Sequence, residues 1–194
     1  MSDRKVIIID DNPDQRFVLK GLLEDIGCSV VGQGTSGLDA VNLSQTTAAD
    51  VMLIDVSMPG MDGIDAVNMI KNLNPLPVIL FTGIKDTDTI KRAMDAGIMA
   101  YLVKPVRQEE LLPTIEIAIS RFKEFEALRR ENIDLKEAIL ARKIIERAKG
   151  ILMEKEKLSE QDAFKFIQKT SMDRRESMKE VSLAIISAFE RKRV

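Results

Sequence analysis

The chain has 194 residues, 45 % of them hydrophobic, a net charge of −2, no histidine and a single cysteine, Cys28. That length exceeds the usual domain of roughly 100 to 150 residues, so two small domains are expected, and the missing histidines exclude ordinary zinc sites, Ser-His or Cys-His nucleophiles and, with one cysteine, any disulfide within the chain. No apolar stretch approaches the roughly 20 residues of a membrane span and no signal-peptide core precedes the first strand, so a reducing, cytoplasmic setting is expected.

Apolar runs near 5–10, 29–31, 50–54, 78–81 and 100–103 read as strands, alternating with helical patterns near 14–26, 36–46, 63–72, 87–96 and from 108 onward. Gly27, Gly32 and Gly34 punctuate the first units, Pro59-Gly60 and Asp62-Gly63 mark turns after the third strand, and Pro75 and Pro77 bound the fourth. Five βα repeats imply an α/β fold: a doubly wound, five-stranded parallel sheet in the flavodoxin-like order. Beyond Pro113 nearly everything reads as helix. The expected division is therefore 1–120 for the α/β domain, 121–137 for a connecting helix and 138–194 for a small three-helix bundle.

Four strand ends carry the polar groups of a phosphoryl-transfer site: Asp10-Asp11, Asp55, Thr82 and Lys104-Pro105. In an open parallel sheet, residues just past the carboxyl ends of neighbouring strands share one crevice. Three carboxylates there need a cation, because unit charges 4 Å apart repel by roughly 4 kcal/mol at an effective dielectric of 20. Magnesium suits an all-oxygen set that keeps waters and a phosphoryl oxygen. Asp55, opening into Ser57-Met58-Pro59-Gly60, is the candidate nucleophile; Thr82, Gly83 and Lys104 would meet phosphoryl oxygens. Each Asp alone reads equally well as a helix cap or turn former, so the joint pattern carries the inference.

With these residues, 1 to about 120 resembles the receiver domain of bacterial response regulators. The resemblance implies that Asp55 takes phosphate from a histidine of a partner sensor kinase, and that Asp10, Asp11 and Asp55 with the Ser57 carbonyl hold Mg2+. It also implies that Lys104 contacts the phosphoryl group, that Thr82 moves toward it and that Tyr101 turns inward behind it. A cis bond before Pro105 is a further implication. As residues alone, Tyr101 reads also as a half-buried strand tyrosine with its hydroxyl in water.

The helical run from Glu109 to Met153 carries Phe125, Leu128, Asn132, Leu135 and Ile139 at alternating three- and four-residue intervals, an a/d seam. Flanking Glu124 with Arg129 and Glu131 with Lys136 suit interchain ion pairs, and Asn132 at an a position would set a parallel pair in register. The seam spans two heptads, so a helix packed on its own α/β domain is the competing reading. A homodimer on phosphorylation is the expectation.

Charge is uneven: residues 1–118 hold 10 basic and 17 acidic side chains, residues 138–194 hold 14 and 9. In the carboxyl-terminal segment, helices from about Glu160 to Gln168 and Arg174 to Arg191 are expected, capped by Ser159 through Asp162 and by Asp173 with Glu176. Apolar residues including Ala148, Leu152, Phe164, Ile167, Met172 and Val181 recur at core spacing. Arg142, Lys143, Arg147 and Lys149, then Lys165 with Lys169 and Arg174 with Arg175, are read as an outer basic surface for nucleic-acid phosphates. The run from Ala141 to Met153, with Ala163-Phe164 and Ser171-Met172, resembles the ANTAR domain of transcription antitermination regulators. That resemblance implies binding of RNA stem-loops in leader transcripts, and a regulator, not an enzyme. The alternatives are a DNA-binding response regulator and an adaptor controlling a protein partner.

Overall fold

The computed structural model describes residues 3–83 and 87–191. Its amino-terminal elements are β1 (Arg4–Ile9), α1 (Pro13–Asp25), β2 (Cys28–Gly34), α2 (Gly37–Thr46), β3 (Val51–Asp55), α3 (Gly63–Leu73), β4 (Val78–Thr82), α4 (Thr87–Ala96) and β5 (Ala100–Val103). Three helices follow: α5 (Gln108–Lys155), α6 (Glu160–Arg174) and α7 (Met178–Arg191). The chain divides into two compact units, 1–126 and 127–194, and α5 contributes to both.

All strands pair in parallel, in the order β2-β1-β3-β4-β5, as the flavodoxin-like reading requires. The apolar runs are buried on both faces, which explains why they are continuous and not alternating. Side chains nevertheless alternate between two cores. Ile7, Ile9, Met52, Ile54 and Leu80 meet Ile64, Val67 and Ile70 of α3 together with Ala40 of α2. Val6, Ile8, Val51, Leu53 and Ile79 meet Leu19 and Leu23 of α1 with Leu111, Ile115 and Ala118 of α5 on the other face. Each such fully buried Ile or Leu stabilises the fold by about 1.5–3 kcal/mol relative to exposure. The β1–β2 ladder shifts register between Val6 and Ile7, which pair with Val30 and Gly32, leaving Val31 as an extra residue.

Helix starts follow local chemistry. Asn12 caps α1 by accepting from the Asp14 and Gln15 amides, with Pro13 at the first helical position. Gly21 lies in the exposed interior of α1, and an added Cβ there would meet nothing within 4 Å. Gly21→Ala is therefore expected to stabilise the chain by about 0.5–1 kcal/mol, read as a higher denaturant midpoint.

In the carboxyl-terminal unit Ala148, Leu152, Ala163, Ile167, Val181 and Ile186 form the core. Phe164 and Met172, expected inside, are exposed, because the buried stripe of α6 runs through Ala163 and Ile167. Ser159 caps α6 as expected. The second boundary is corrected: α6 continues to Arg174, and the box that starts α7 is Ser177 with Glu180, not Asp173 with Glu176. Arg175 ends α6 in the left-handed conformation (φ 56°), with its amide bonded to the Met172 carbonyl and that of Glu176 to Ser171.

Candidate functional site

The carboxyl ends of β1, β3, β4 and β5 bring four sequence-distant positions to one edge of the sheet, where the strand order reverses between β1 and β3. Asp10 follows β1, Asp55 ends β3, Thr82 ends β4 and Lys104 follows β5. The Lys104 ammonium lies 2.9 Å from Asp10 Oδ2 and 3.0 Å from Asp55 Oδ2. It also sits 4.4 Å from the centroid of the Phe81 ring. Asp10 is fully buried and is held by the Asn12 amide, which donates to Oδ1 at 2.7 Å, while Arg16 donates to its carbonyl at 2.6 Å. Asp11 is exposed at the mouth, and one oxygen from each of Asp10, Asp11 and Asp55 lies within 4.8 Å of the others.

Burial pushes the Asp55 carboxyl up from its ordinary pKa, against the opposing pull of Lys104 and with Asp10 adding to the rise. The Ser57 amide donates to the same carboxylate. Three carboxylates facing one ammonium leave an excess of negative charge, which fits a divalent cation. Thr82 is buried at the neighbouring strand end, and its carbonyl accepts from the Lys104 amide at 3.0 Å. Gly83 is exposed, with open space where a Cβ would lie. The Lys104–Pro105 bond is cis. Tyr101 is 59 % exposed and, with Thr82, lines a groove of about 770 Å³ bordered by Ala93 and Met94 of α4 and Ile117 of α5.

Three contributors escaped the sequence reading: Phe81 beneath the ammonium, Asn12 holding Asp10, and Gly63. A Cβ at Gly63 would stand 2.1 Å from the Asp55 carbonyl oxygen. The Asp62-Gly63 pair signalled only a turn, whereas its glycine lets α3 begin directly against the strand end.

The other expected residues lie on α5, α6 and the turn after it. Arg142, Lys143, Arg147, Lys165, Lys169, Arg174 and Arg175 are exposed. Lys149 is not on the outside: it is 7 % exposed, with its ammonium 3.0 Å from Glu146 and 2.8 Å from Glu160. Those partners raise its pKa, Glu160 first. The seven-residue interval from Arg142 suggested a shared outer face, yet Lys149 also stands four residues from Ile145 and three from Leu152, on the packed side. Lys149→Ala is expected to lower the melting temperature of the helical unit, and Arg142→Ala to leave it unchanged, as followed by circular dichroism. Phe125 lines a small cavity with Leu76, Gly97 and Phe122 of the amino-terminal unit, whereas Leu128, Leu135 and Ile139 are each more than half exposed and Asn132 is exposed beside them.

A parallel sheet that gathers acidic side chains, a hydroxyl and a lysine at its strand ends defines the signal-receiver class. Residues 6–116 match the response regulator receiver domain, and the chain belongs to that family. Residues 134–186 match the ANTAR domain, an RNA-binding antitermination module, so the chain is a two-component response regulator that joins the two. Over 186 residues it is 42 % identical to the transcriptional regulatory protein PdtaR of Mycobacterium tuberculosis, covering 96 % of this chain and 91 % of PdtaR. It is 34 % identical to the chemotaxis protein CheY of Pseudomonas aeruginosa over 120 residues, 60 % of this chain and 97 % of CheY. Among solved structures, the receiver domain of a modulated diguanylate cyclase from Desulfovibrio desulfuricans aligns with a TM-score of 0.59 at 30 % identity, covering 63 % of this chain and 98 % of that one. The NarL receiver domain of Mycobacterium tuberculosis aligns at 0.55 and 26 % identity, covering 63 % and 98 %. No helix among the described residues is long and apolar enough to cross a membrane.

Proposed function

We propose that phosphorylation of Asp55 controls dimerisation and RNA stem-loop binding, and thereby transcription antitermination in the cytoplasm. The observation that carries this reading is the shared ion pairing of Lys104 with Asp10 and Asp55, which places a cation where a phosphoryl group on Asp55 would need one. A carboxylate oxygen of Asp55 attacks the phosphorus of a phosphohistidine on the sensor kinase; the P–N bond breaks and an acyl phosphate forms. Asp10, Asp11 and Asp55, with the Ser57 carbonyl, would hold Mg2+, which when bound neutralises charge on the carboxylates and the phosphoryl oxygens. Lys104 then turns from a carboxylate partner to a phosphoryl partner, and the Thr82 hydroxyl donates to a second oxygen. The groove joining Thr82 to Tyr101 supplies room for the tyrosine ring to follow, which changes the face built from α4, β5 and α5.

The exposed Leu128, Asn132, Leu135 and Ile139 give two copies a seam to pair along, with Phe125 shared between that seam and the receiver core. Pairing presents two basic helical units to two hairpins, and the linked second contact raises apparent affinity by about 10² to 10⁴ where geometry permits. Sedimentation and gel shifts with structured leader RNA, with and without acetyl phosphate and Mg2+, test this reading. The phosphodonor is expected to shift the chain toward dimer and to tighten RNA binding. An unchanged oligomer with unchanged affinity, or tighter binding of duplex DNA at matched salt, overturns it.

A further inference from the structure

A groove of about 640 Å³ opens in the carboxyl-terminal unit between the end of α5, α6 and α7. Its lining is mostly apolar: Leu152 at the end of α5, Phe166 on α6, and Ala184, Ala188 and Phe189 on α7. Ala184 and Ala188 are four residues apart and lie on one side of α7, so small side chains hold the space open where larger ones would close it. On α6, Phe166, Thr170 and Arg174 succeed one another at four-residue steps and form one wall. Phe166 is 49 % exposed, and the Thr170 hydroxyl is turned back to donate to the Phe166 carbonyl at 2.7 Å. The wall therefore offers an aromatic face and a guanidinium, with Glu156 as the one acidic group of the lining.

We propose that this groove takes an unpaired nucleobase from the loop of an RNA hairpin, a reading that rests on RNA binding by this unit. Volume and lining suit a planar, mostly apolar guest, within the range of about 300–1,000 Å³ usual for small-molecule sites. Charge decides which part of the nucleotide enters. Glu156 and the apolar lining disfavour a phosphate inside, whereas exposed Arg174 on the α6 wall, with exposed Lys165 and Lys169 one residue before Phe166 and Thr170, favours the backbone along α6. The base stacks on Phe166, and the Glu156 carboxylate accepts from ring or exocyclic N–H groups at its edge. Phosphate contacts by the outer Arg and Lys residues supply affinity without reading sequence, so this groove is where loop sequence is read.

A pool of RNA hairpins with a constant stem and randomised loop, selected against the full chain in acetyl phosphate and Mg2+, supplies the probe. The selected hairpin is then remade with each loop position abasic in turn. Phe166→Ala is expected to weaken the intact hairpin about 5- to 150-fold, the range for loss of one base–aromatic stack. One abasic hairpin is expected to bind wild type and variant equally, Phe166→Tyr to retain binding, and Glu156→Gln to change the base preferred at that position. Circular dichroism of Phe166→Ala is expected to match wild type, because the ring is 49 % exposed, so that lost binding reports the ring and not the fold. Equal binding by wild type and Phe166→Ala, equal weakening on every abasic hairpin, or a loss of dimer with RNA affinity intact, overturns the base site while leaving RNA binding standing. If wild type binds no hairpin in the pool, RNA binding fails and the base site falls with it.

Discussion

Asp55→Asn is expected to abolish phosphate uptake from acetyl phosphate, from stoichiometric labelling in wild type to none, as read by intact-mass spectrometry. The neutral amide has no anionic carboxylate oxygen to attack phosphorus, and the other two carboxylates cannot replace it: Asp10 is fully buried under Lys104 and Asn12, and Asp11 lies at the exposed mouth. The same variant is expected to melt at a higher temperature than wild type in Mg2+-free buffer at neutral pH. Burial raises the folded-state pKa of Asp55 above its unfolded value, so the folded chain binds that proton more tightly. The stability associated with it is fully present below the unfolded pKa and lost as pH rises through the folded one. At neutral pH the ionised carboxylate therefore weighs against folding, and a neutral amide does not, while Lys104 keeps its contact with Asp10. Retained labelling would move the phosphoacceptor elsewhere, and a lower melting temperature would show that the Lys104 pairing outweighs desolvation.

Gly63→Ala is expected to damage both fold and site. The added Cβ would stand 2.1 Å from the Asp55 carbonyl oxygen, 3.0 Å from its carbon and 3.2 Å from Val56 Cα, all backbone atoms that cannot swing aside. Gly63 is also tied to this loop by its amide, which donates to the Val56 carbonyl at 3.1 Å. Either α3 moves off the sheet, where Ile64, Val67 and Ile70 are buried, or β3 shifts with its terminal carboxylate. A loss of about 1–3 kcal/mol is expected, in the range of overpacked cores. That corresponds to a fall in melting temperature of about 2–8 °C per kcal/mol, with slower phosphate uptake at temperatures where the variant is folded. Melting and labelling rates equal to those of Gly21→Ala would contradict the steric argument.

Much of the receiver was legible because its signals are redundant. Apolar runs fix the strands, the residues that end them fix the site, and the order of polar types along the chain fixes which strand is which. Every expected receiver strand and helix appears within a few residues. What escaped was contact across the sheet edge: nothing in Phe81 announces that Lys104 will rest on its ring, and Asp62-Gly63 reads as a turn whether or not a carbonyl lies behind it.

The helical unit was less legible because its signals compete. Asp173 with Glu176 and Ser177 with Glu180 both have capping-box spacing, and the choice fell to Ser177 once Arg175, a non-glycine residue, took the left-handed position that stops α6. Lys149 was misplaced for a related reason. Its charge argued for solvent, its neighbours Ile145 and Leu152 for the interior, and the carboxylates of Glu146 and Glu160 allow the second answer.

The extra residue in β2 bears on the life of the protein in a crowded cell. β2 is a border of the sheet and, at seven residues, its longest strand, so its outer row of amides and carbonyls could template another chain. Inserting Val31 between the paired Val30 and Gly32 breaks that row midway and twists it, so no straight rail is presented to a newly made copy. The chain is thereby guarded against the edge-to-edge strand pairing between copies that ends in aggregates.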